Sequence, residues 1–341
     1  MNDAVRDIIR RLQAGEPISG RLADGVFTAI MAGEATPAQI GATLLGLSIR
    51  GETPEIVAAA ARAMRQAAVR IQPKTHGLID TCGTGGDGAS TFNISTAVSF
   101  VVAAAGQPVA KHGNRAMSSR SGAADVLEAL GVNLNLAPED VADCIDEVGI
   151  GFLFAQALHP AMRHAGPVRR ELGVRTIFNL LGPLTNPAGA EYQIMGVFAR
   201  DRLELAARAL AELGATRALV VHGRDGLDEI TTTDVTDAML VEAGRDPQPF
   251  EIDPAAFGIP RAKPCMLKGG DAAENAAVLR EILGGALNPG RDIVLLNAAA
   301  ALWVAGAAEG IPEGLRLAAE AIDSGRAMKK LDELVAFTQS R

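Results

Sequence analysis

The chain has 341 residues, enough for one large or two ordinary domains, and its hydrophobic fraction of 48% is ample for a core although only 4% is aromatic. With 40 acidic against 32 basic residues the formal charge is −8, which argues against DNA or RNA as the main ligand. The three cysteines, Cys82, Cys144 and Cys265, have no C-x-x-C spacing, which argues against a disulfide framework or structural zinc and suits a reducing cytoplasm.

The N-terminal segment, Met1 to Asp7, is charged and lacks a signal-type apolar core. Residues 1–70 read as helices throughout. Val5, Ile8, Ile9 and Leu12 recur at helical spacing. Thr36-Pro37-Ala38-Gln39 is a compact start signal, with Thr as N-cap, Pro at the first helical position and Gln closing a capping box. Thr53-Pro54 repeats the cap and proline, and Gly33 and Gly51 end the segments before them. Gln72 to Gly77 reads as a linker. A small all-helical domain is therefore expected over residues 1–73, followed by a larger α/β domain over 74–341 with a mainly parallel central sheet.

Residues 80–125 hold two polar loops. A strand at Leu78-Ile79 leads into the glycine-rich loop from Asp80 to Thr96. A helix from Ala97 to Ala105 follows, closed by Gly106. A second strand, Pro108-Val109-Ala110, leads into a loop from Lys111 to Asp125, then a helix from Val126 to Leu130 closed by Gly131. Both loops fall at one edge of a parallel sheet, where α/β domains bind ligands.

Their chemistry points to a phosphorylated ligand. Glycines let backbone N–H groups approach an anion, and a helix N-terminus adds partial positive charge. Ser90, Thr91, Asn93, Ser95 and Thr96 add neutral donors, and Lys111, Arg115 and Arg120 add full charge. Asp87 would repel a phosphate, so it is read as orienting a metal's water or a sugar hydroxyl. Residues 83–88 match G-x-G-x-x-G, but the region about 20 positions on is basic where a nicotinamide enzyme needs an acid. No G-K-[ST] is present, so this is not a P-loop. Cys82 beside the first loop reads as a small apolar strand residue rather than a nucleophile.

Pro138 to Val148 reads as a helix and Gly151 to Phe154 as a short buried strand. From His159 to Pro187, prolines and glycines punctuate short helical pieces, read as a return to the helical domain near 160–187 and a hinge. His159 and His164 are five apart, which does not suit two metal ligands on one helix face. Tyr192 to Phe198 is a strand, Asp201 to Leu213 a helix closed by Gly214, and Ala218 to His222 another strand. That strand enters a glycine turn carrying the adjacent carboxylates Asp228 and Glu229, oxygens of the kind Mg²⁺ takes alongside water and substrate phosphate. Helices are expected at Ala272 to Leu283 and Gly314 to Ile322. Ile293 to Ala308 reads as a buried alanine-rich helix, since it contains Asn297 and is shorter than the roughly 20 residues of a membrane span.

Five separated motifs resemble the anthranilate phosphoribosyltransferase family: Gly83-Thr84-Gly85-Gly86-Asp87 with Phe92 to Thr96; Lys111 to Arg115 with Ser118-Ser119; His159 to Met162 with Pro167-Val168-Arg169; Thr176 to Pro187; and Leu227-Asp228-Glu229. The resemblance implies the nucleoside phosphorylase/phosphoribosyltransferase-like fold, with substrates in the cleft between domains and a homodimer through the helical domains. It implies transfer of the phosphoribosyl group from 5-phosphoribosyl 1-pyrophosphate to the amine of anthranilate, the second step of tryptophan synthesis from chorismate, in the cytoplasm. By the same resemblance Gly83, Gly86, Asp87 and Thr91, then Asn93, Ile94, Ser95 and Thr96, hold the pyrophosphate and ribose end. Lys111, His112, Gly113, Asn114, Arg115, Ala116, Met117, Ser118 and Ser119 cover the 5-phosphate and pyrophosphate, with Ala123 at the edge of the same site. Ala123 stands where many members have serine, so one hydroxyl to phosphate is lost. Gly83, Asn114 and Arg169 meet anthranilate, and Ser95, Asp228 and Glu229 hold Mg²⁺, two ions per subunit.

Positioning and electrostatics should dominate the chemistry, because an arylamine is already a nucleophile. No catalytic base is assigned with certainty; His112 and His159 are the candidates for assisting proton removal. Two other readings remain open. A pyrimidine nucleoside phosphorylase of related fold would not need the Asp228–Glu229 pair, and a non-enzymatic relative that binds nucleic acid conflicts with the acidic charge.

Overall fold

The computed structural model describes residues 2–116 and 120–341. Four helices open the chain: α1 (Asp3–Ala14), α2 (Gly20–Met31), α3 (Pro37–Arg50) and α4 (Pro54–Ala67). Their starts are chemically marked. The Thr36 hydroxyl accepts from the Gln39 N–H while the Gln39 side chain accepts from the Thr36 N–H, and Thr53 accepts from the Ile56 N–H. Val5, Ile8 and Leu12 line one buried stripe of α1.

Seven strands form one sheet: β1 (Ile79–Asp80), β2 (Val109–Gly113), β3 (Ile150–Phe154), β4 (Tyr192–Gly196), β5 (Arg217–Gly223), β6 (Thr236–Glu242) and β7 (Gln248–Ile252). Their order is β3-β2-β1-β4-β5-β6-β7. The first five strands run parallel, and β6 and β7 add an antiparallel edge. The chain goes outward from β1 through β2 to β3, then returns to place β4 on the other side of β1. The loop after β1 therefore leaves the sheet at the point where the strand order reverses, the usual crevice for a ligand.

Side chains alternate between the two faces. Ile79, Ile194, Leu219 and Val221 join a core with α5 (Ile94–Ala104), α6 (Ala123–Ala129), and the later helices α12 (Ala272–Leu283), α13 (Pro289–Val304), α14 (Ile311–Asp323) and α15 (Arg326–Gln339). Met195, Ala218 and Val220 face the other way, into a core shared with α11 (Leu203–Glu212), which itself packs on α4, and with the opening helices. On that second face α7 (Pro138–Val148) packs Val141 and Ile145 against Ala110 and Leu153. Between β3 and β4 the chain forms α8 (Ala155–Leu158), α9 (Met162–Leu172) and α10 (Phe178–Leu181), and Ala165, Val168, Phe178 and Leu181 pack among the opening helices.

Several boundaries differ from the sequence reading, α6 and α14 among them, each starting three residues earlier than expected. Lys111, His112 and Gly113 belong to strand β2, not to a loop, because each is paired in register with Phe152, Leu153 and Phe154 of β3. Helix α5 begins at Ile94, three residues earlier than expected, and α13 begins at Pro289, where the Asn288 side chain caps the Arg291 N–H. Among the described residues no helix is long and apolar enough to cross a membrane.

Candidate active site

The first loop is shaped by close backbone approach. A Cβ on Gly83 would sit 2.9 Å from Asp228 Oδ2, and one on Gly196 would sit 1.5 Å from the Asp228 carbonyl oxygen. Only glycine at the ends of both crossings lets the turn after β5 fold over the loop after β1. Asp228 Oδ2 then accepts from the Gly85 N–H at 2.6 Å. Thr84 ties the loop to β4, donating its N–H to the Gly196 carbonyl and accepting from the Phe198 N–H at 3.0 Å. Its far limb is fastened to residues 267–269 by the Phe92 N–H to Leu267 and Gly269 N–H to Ser90 bonds and by the bridge from Thr91 to Lys268.

Three carboxylates converge here. Burial, and then the charge of Asp87, push Asp228 up to about 7. Burial and Asp228 hold Glu229 well above the ordinary carboxylate range, against the pull of Lys111 and the Ser95 backbone N–H. Charges that repel one another in a crevice favour either a proton or a cation between them. Their oxygens suit a hard divalent ion. Lys111 lies beneath, only 2% exposed, with Nζ 3.3 Å from Thr81 Oγ1 and 3.2 Å from Ser95 Oγ. The expected metal residues Ser95, Asp228 and Glu229 are thus brought together with Asp87 and Lys111.

The other expected residues divide by what their side chains do. Asn93 bridges the two loops and α12, donating to the Ser121 carbonyl and accepting from Asn275 Nδ2 at 2.8 Å. Ile94 and Thr96 are buried in the packing of α5, so their contribution is to fix the helix start. Arg115 does not add free charge to the second loop: its guanidinium pairs with Asp125 at 3.0 Å and Glu128 at 2.7 Å. Asp125 in turn accepts from the Ala116 and Gly122 N–H groups, closing the loop on itself. Arg120 lies 3.6 Å from Glu274. Asn114 Oδ1 accepts from the Arg115 N–H, and Ala123 opens helix α6. Met117, Ser118 and Ser119 lie outside the described residues. Arg169 is half-buried over the Phe178 ring, 5.1 Å from its centroid, and has no ion pair among the described residues. Burial lowers its pKa.

His112 and His159 meet, Nε2 to Nε2, at 3.2 Å. His112 Nδ1 lies 3.1 Å from the Gly182 carbonyl, which can only accept, so Nδ1 carries the proton and Nε2 accepts from His159. His159 Nδ1 is then the acceptor left over. Burial, reinforced at His112 by its neighbour, pushes the two down to about 3 and about 4, so both are neutral near pH 7.

Two residues escaped the sequence reading. Arg175 reaches from the segment between α9 and α10 to the glycine loop, donating to the Gly86 carbonyl at 2.6 Å while its guanidinium lies 4.3 Å from the Phe198 ring centroid. No local pattern marks it, because its target is 89 residues away. Asp80 is fully buried, accepts from the His112 N–H and from Asn186 Nδ2 at 2.7 Å, and is pushed up to about 6 by burial. Asp80, Cys82 and His112 bring possible ligand atoms within 4.8 Å of one another. Both Asp80 oxygens and His112 Nδ1 are already hydrogen-bonded, and burial pushes the Cys82 thiol up, away from the thiolate a metal needs.

Two family models match the chain: the helical bundle domain of a glycosyl transferase family over residues 6–68, and the a/b domain of that family over residues 75–328. The anthranilate phosphoribosyltransferase of Rhodospirillum rubrum is 55% identical over 333 residues, covering 98% of this chain and 95% of the relative. That of Acetivibrio thermocellus is 52% identical over 336 residues, covering 98% and 97%. The crystal structure of anthranilate phosphoribosyltransferase from Thermus thermophilus superposes with a TM-score of 0.92 at 48% identity, covering 98% of this chain and 99% of the other. The Saccharomyces cerevisiae enzyme in complex with phosphoribosyl pyrophosphate and Mg superposes with a TM-score of 0.91 at 26% identity, covering 100% and 99%.

Proposed function

We infer that this chain, which belongs to the anthranilate phosphoribosyltransferase family, transfers the phosphoribosyl group of 5-phosphoribosyl 1-pyrophosphate to the amine of anthranilate and releases pyrophosphate. The observation that carries this reading is the convergence of Asp87, Asp228 and Glu229 on the glycine loop at the reversal of strand order. A pyrimidine nucleoside phosphorylase has no use for that carboxylate group, and the relatives support neither it nor a nucleic-acid-binding protein. We take the domain boundary at 73/74, with 160–187 returning to the helices, so that the substrates lie in the cleft between. Mixing the protein with both substrates and Mg²⁺ tests the whole reading.

The residues present fit Mg²⁺: Ser95, Asp228 and Glu229 would hold it, with Asp87 facing them, as two ions per subunit. Such an ion supplies positive charge to the departing pyrophosphate. The chain does the rest by placement. Backbone N–H groups of the glycine loop receive the growing charge on the leaving oxygens, which strengthens their hydrogen bonds most in the transition state. Lys111 keeps the carboxylates and the Ser95 hydroxyl in position from below. Arg169 and Asn114 orient the acceptor, Arg169 through its planar fork. The amine needs no strong base, and the neutral His112–His159 pair offers His159 Nδ1 as a place to hold its proton.

The raised carboxylates set a pH dependence. Asp228 rises from 3.8 to about 7 on folding, so its protonated form is favoured in the metal-free protein. The stability it contributes is whole below the unfolded value and is lost as pH rises through about 7. Mg²⁺ binds the charged form and offsets that loss. Thermal melts should therefore show Mg²⁺ raising the melting temperature clearly at pH 8 and scarcely at pH 5. Equal shifts at both pH values contradict the assignment.

The homodimer has a candidate face on α3. Ala38, Ala42, Leu45 and Ile49 recur at helical spacing on its exposed side, with Leu45 41% and Ile49 74% exposed. A second copy covering this stripe fits the apolar character. Sedimentation should find a dimer that becomes monomeric in the Leu45→Glu, Ile49→Glu double variant, and a monomeric parent protein refutes it.

A further inference from the structure

Away from the carboxylate crevice, the two chain segments that join the domains enclose a second cavity. The linker before β1 and the segment before β4 run side by side here, joined by the Ile71 N–H to Pro187 carbonyl bond at 3.2 Å. Leu78 and Glu191 stand just ahead of β1 and β4, so the cavity opens at the N-terminal end of these parallel strands. The glycine loop and the Asp228 turn lie at the opposite end. The volume is about 580 Å³, room for a small organic molecule.

Arg65, Arg70, Thr75, His76 and Asn186 are among its lining residues. The guanidinium of Arg65 is held by Nε donating to the Leu184 carbonyl at 2.7 Å. Burial pulls its pKa down with no carboxylate acting to restore it. Arg70 is exposed, and among the described residues neither arginine has an ion pair. The one carboxylate on the wall, Glu191, already has both oxygens occupied by the Gly77 and Leu78 N–H groups at 2.9 and 2.8 Å. Two guanidinium forks thus border a cavity whose only acid, among the described residues, is committed to the backbone.

We propose that this cavity is a second ligand site, taking a small molecule that carries a carboxylate or phosphate group between Arg65 and Arg70. Guanidinium groups recognise either anion through paired N–H donors. A molecule seated there touches both segments, so its binding would stiffen their junction. Asn186 extends from this wall to Asp80 and the Ala110 carbonyl, which gives the site a hydrogen-bonded route toward β2. The site stands whether or not the substrates assigned above are correct.

His76 on the rim supplies a local probe. Its ring resonance, assigned with a His76→Gln variant, is followed by NMR in the full chain during titration with citrate in one series and inorganic phosphate in another. At least one anion should shift the signal saturably. Arg70→Glu should weaken that binding at least about tenfold, the loss of one charge-assisted hydrogen-bonding partner, and leave kcat unchanged without the anion. Arg65→Lys, which keeps the charge but not the fork, should weaken it less. A response to citrate alone identifies a carboxylate ligand, and to phosphate alone a phosphate ester. The proposal is overturned if neither anion moves His76 saturably, or if Arg70→Glu leaves the affinity unchanged.

Discussion

Replacing Asp228 by Asn and Glu229 by Gln together should lower the Mg²⁺-dependent transfer rate by at least about a hundredfold, the scale on which preorganised charge at a reacting centre acts. The substitutions keep the size of both side chains, and the amide introduced at position 228 retains an oxygen for the Gly85 N–H that Asp228 now accepts. What they remove is negative charge. Because burial and mutual repulsion hold both acids above their ordinary range, the metal-free variant should melt no lower than the parent at pH 8. A purely structural role moves the two readouts together; a metal role separates them. Wild-type rates at limiting Mg²⁺ would show that the carboxylates do not serve the ion.

Arg169→Ala should weaken anthranilate binding by roughly tenfold to more than a hundredfold, the cost of about 1.5–3 kcal/mol for losing one charged hydrogen-bonding partner. Anthranilate carries a carboxylate beside its amine, and a cation has to meet it. Arg169 is suited to this because its guanidinium lies over Phe178, partly removed from water, with no acid of its own among the described residues. Arg170, next in sequence, is exposed and points about 100° round the helix. Arg169→Lys should recover only part of the loss, since an ammonium does not copy the planar fork. Affinity for phosphoribosyl pyrophosphate should be nearly unchanged in both variants. Calorimetry decides: unchanged anthranilate affinity, or an equal loss for phosphoribosyl pyrophosphate, removes Arg169 from the acceptor site.

Local chemistry was legible in the sequence wherever one segment contains its own partners. The Thr36–Gln39 capping box closes within four residues, and the helix from Pro138 to Val148 has its proline start and glycine stop in the same stretch. The glycine loop and the Asp228–Glu229 pair were visible as types of residue, although what brings them together is the bare backbone of Gly83 and Gly196. Features made by distant partners were hidden. Lys111 to Gly113 looks like a loop because of its lysine, histidine and glycine, and becomes a strand only through β3. Arg115 reads as a free cation in the second loop until α6 presents Asp125 and Glu128. Arg175 acts on the Gly86 carbonyl, 89 residues earlier in the chain, and no spacing rule connects them.

Anthranilate's own fluorescence reports the proposed reaction directly. Purified protein mixed with anthranilate, phosphoribosyl pyrophosphate and Mg²⁺ should consume the fluorescence steadily, releasing one pyrophosphate for each anthranilate lost. Omitting either phosphoribosyl pyrophosphate or Mg²⁺ should stop it. Unchanged fluorescence in the complete mixture, with phosphate-dependent cleavage of a pyrimidine nucleoside by the same preparation, would contradict the account.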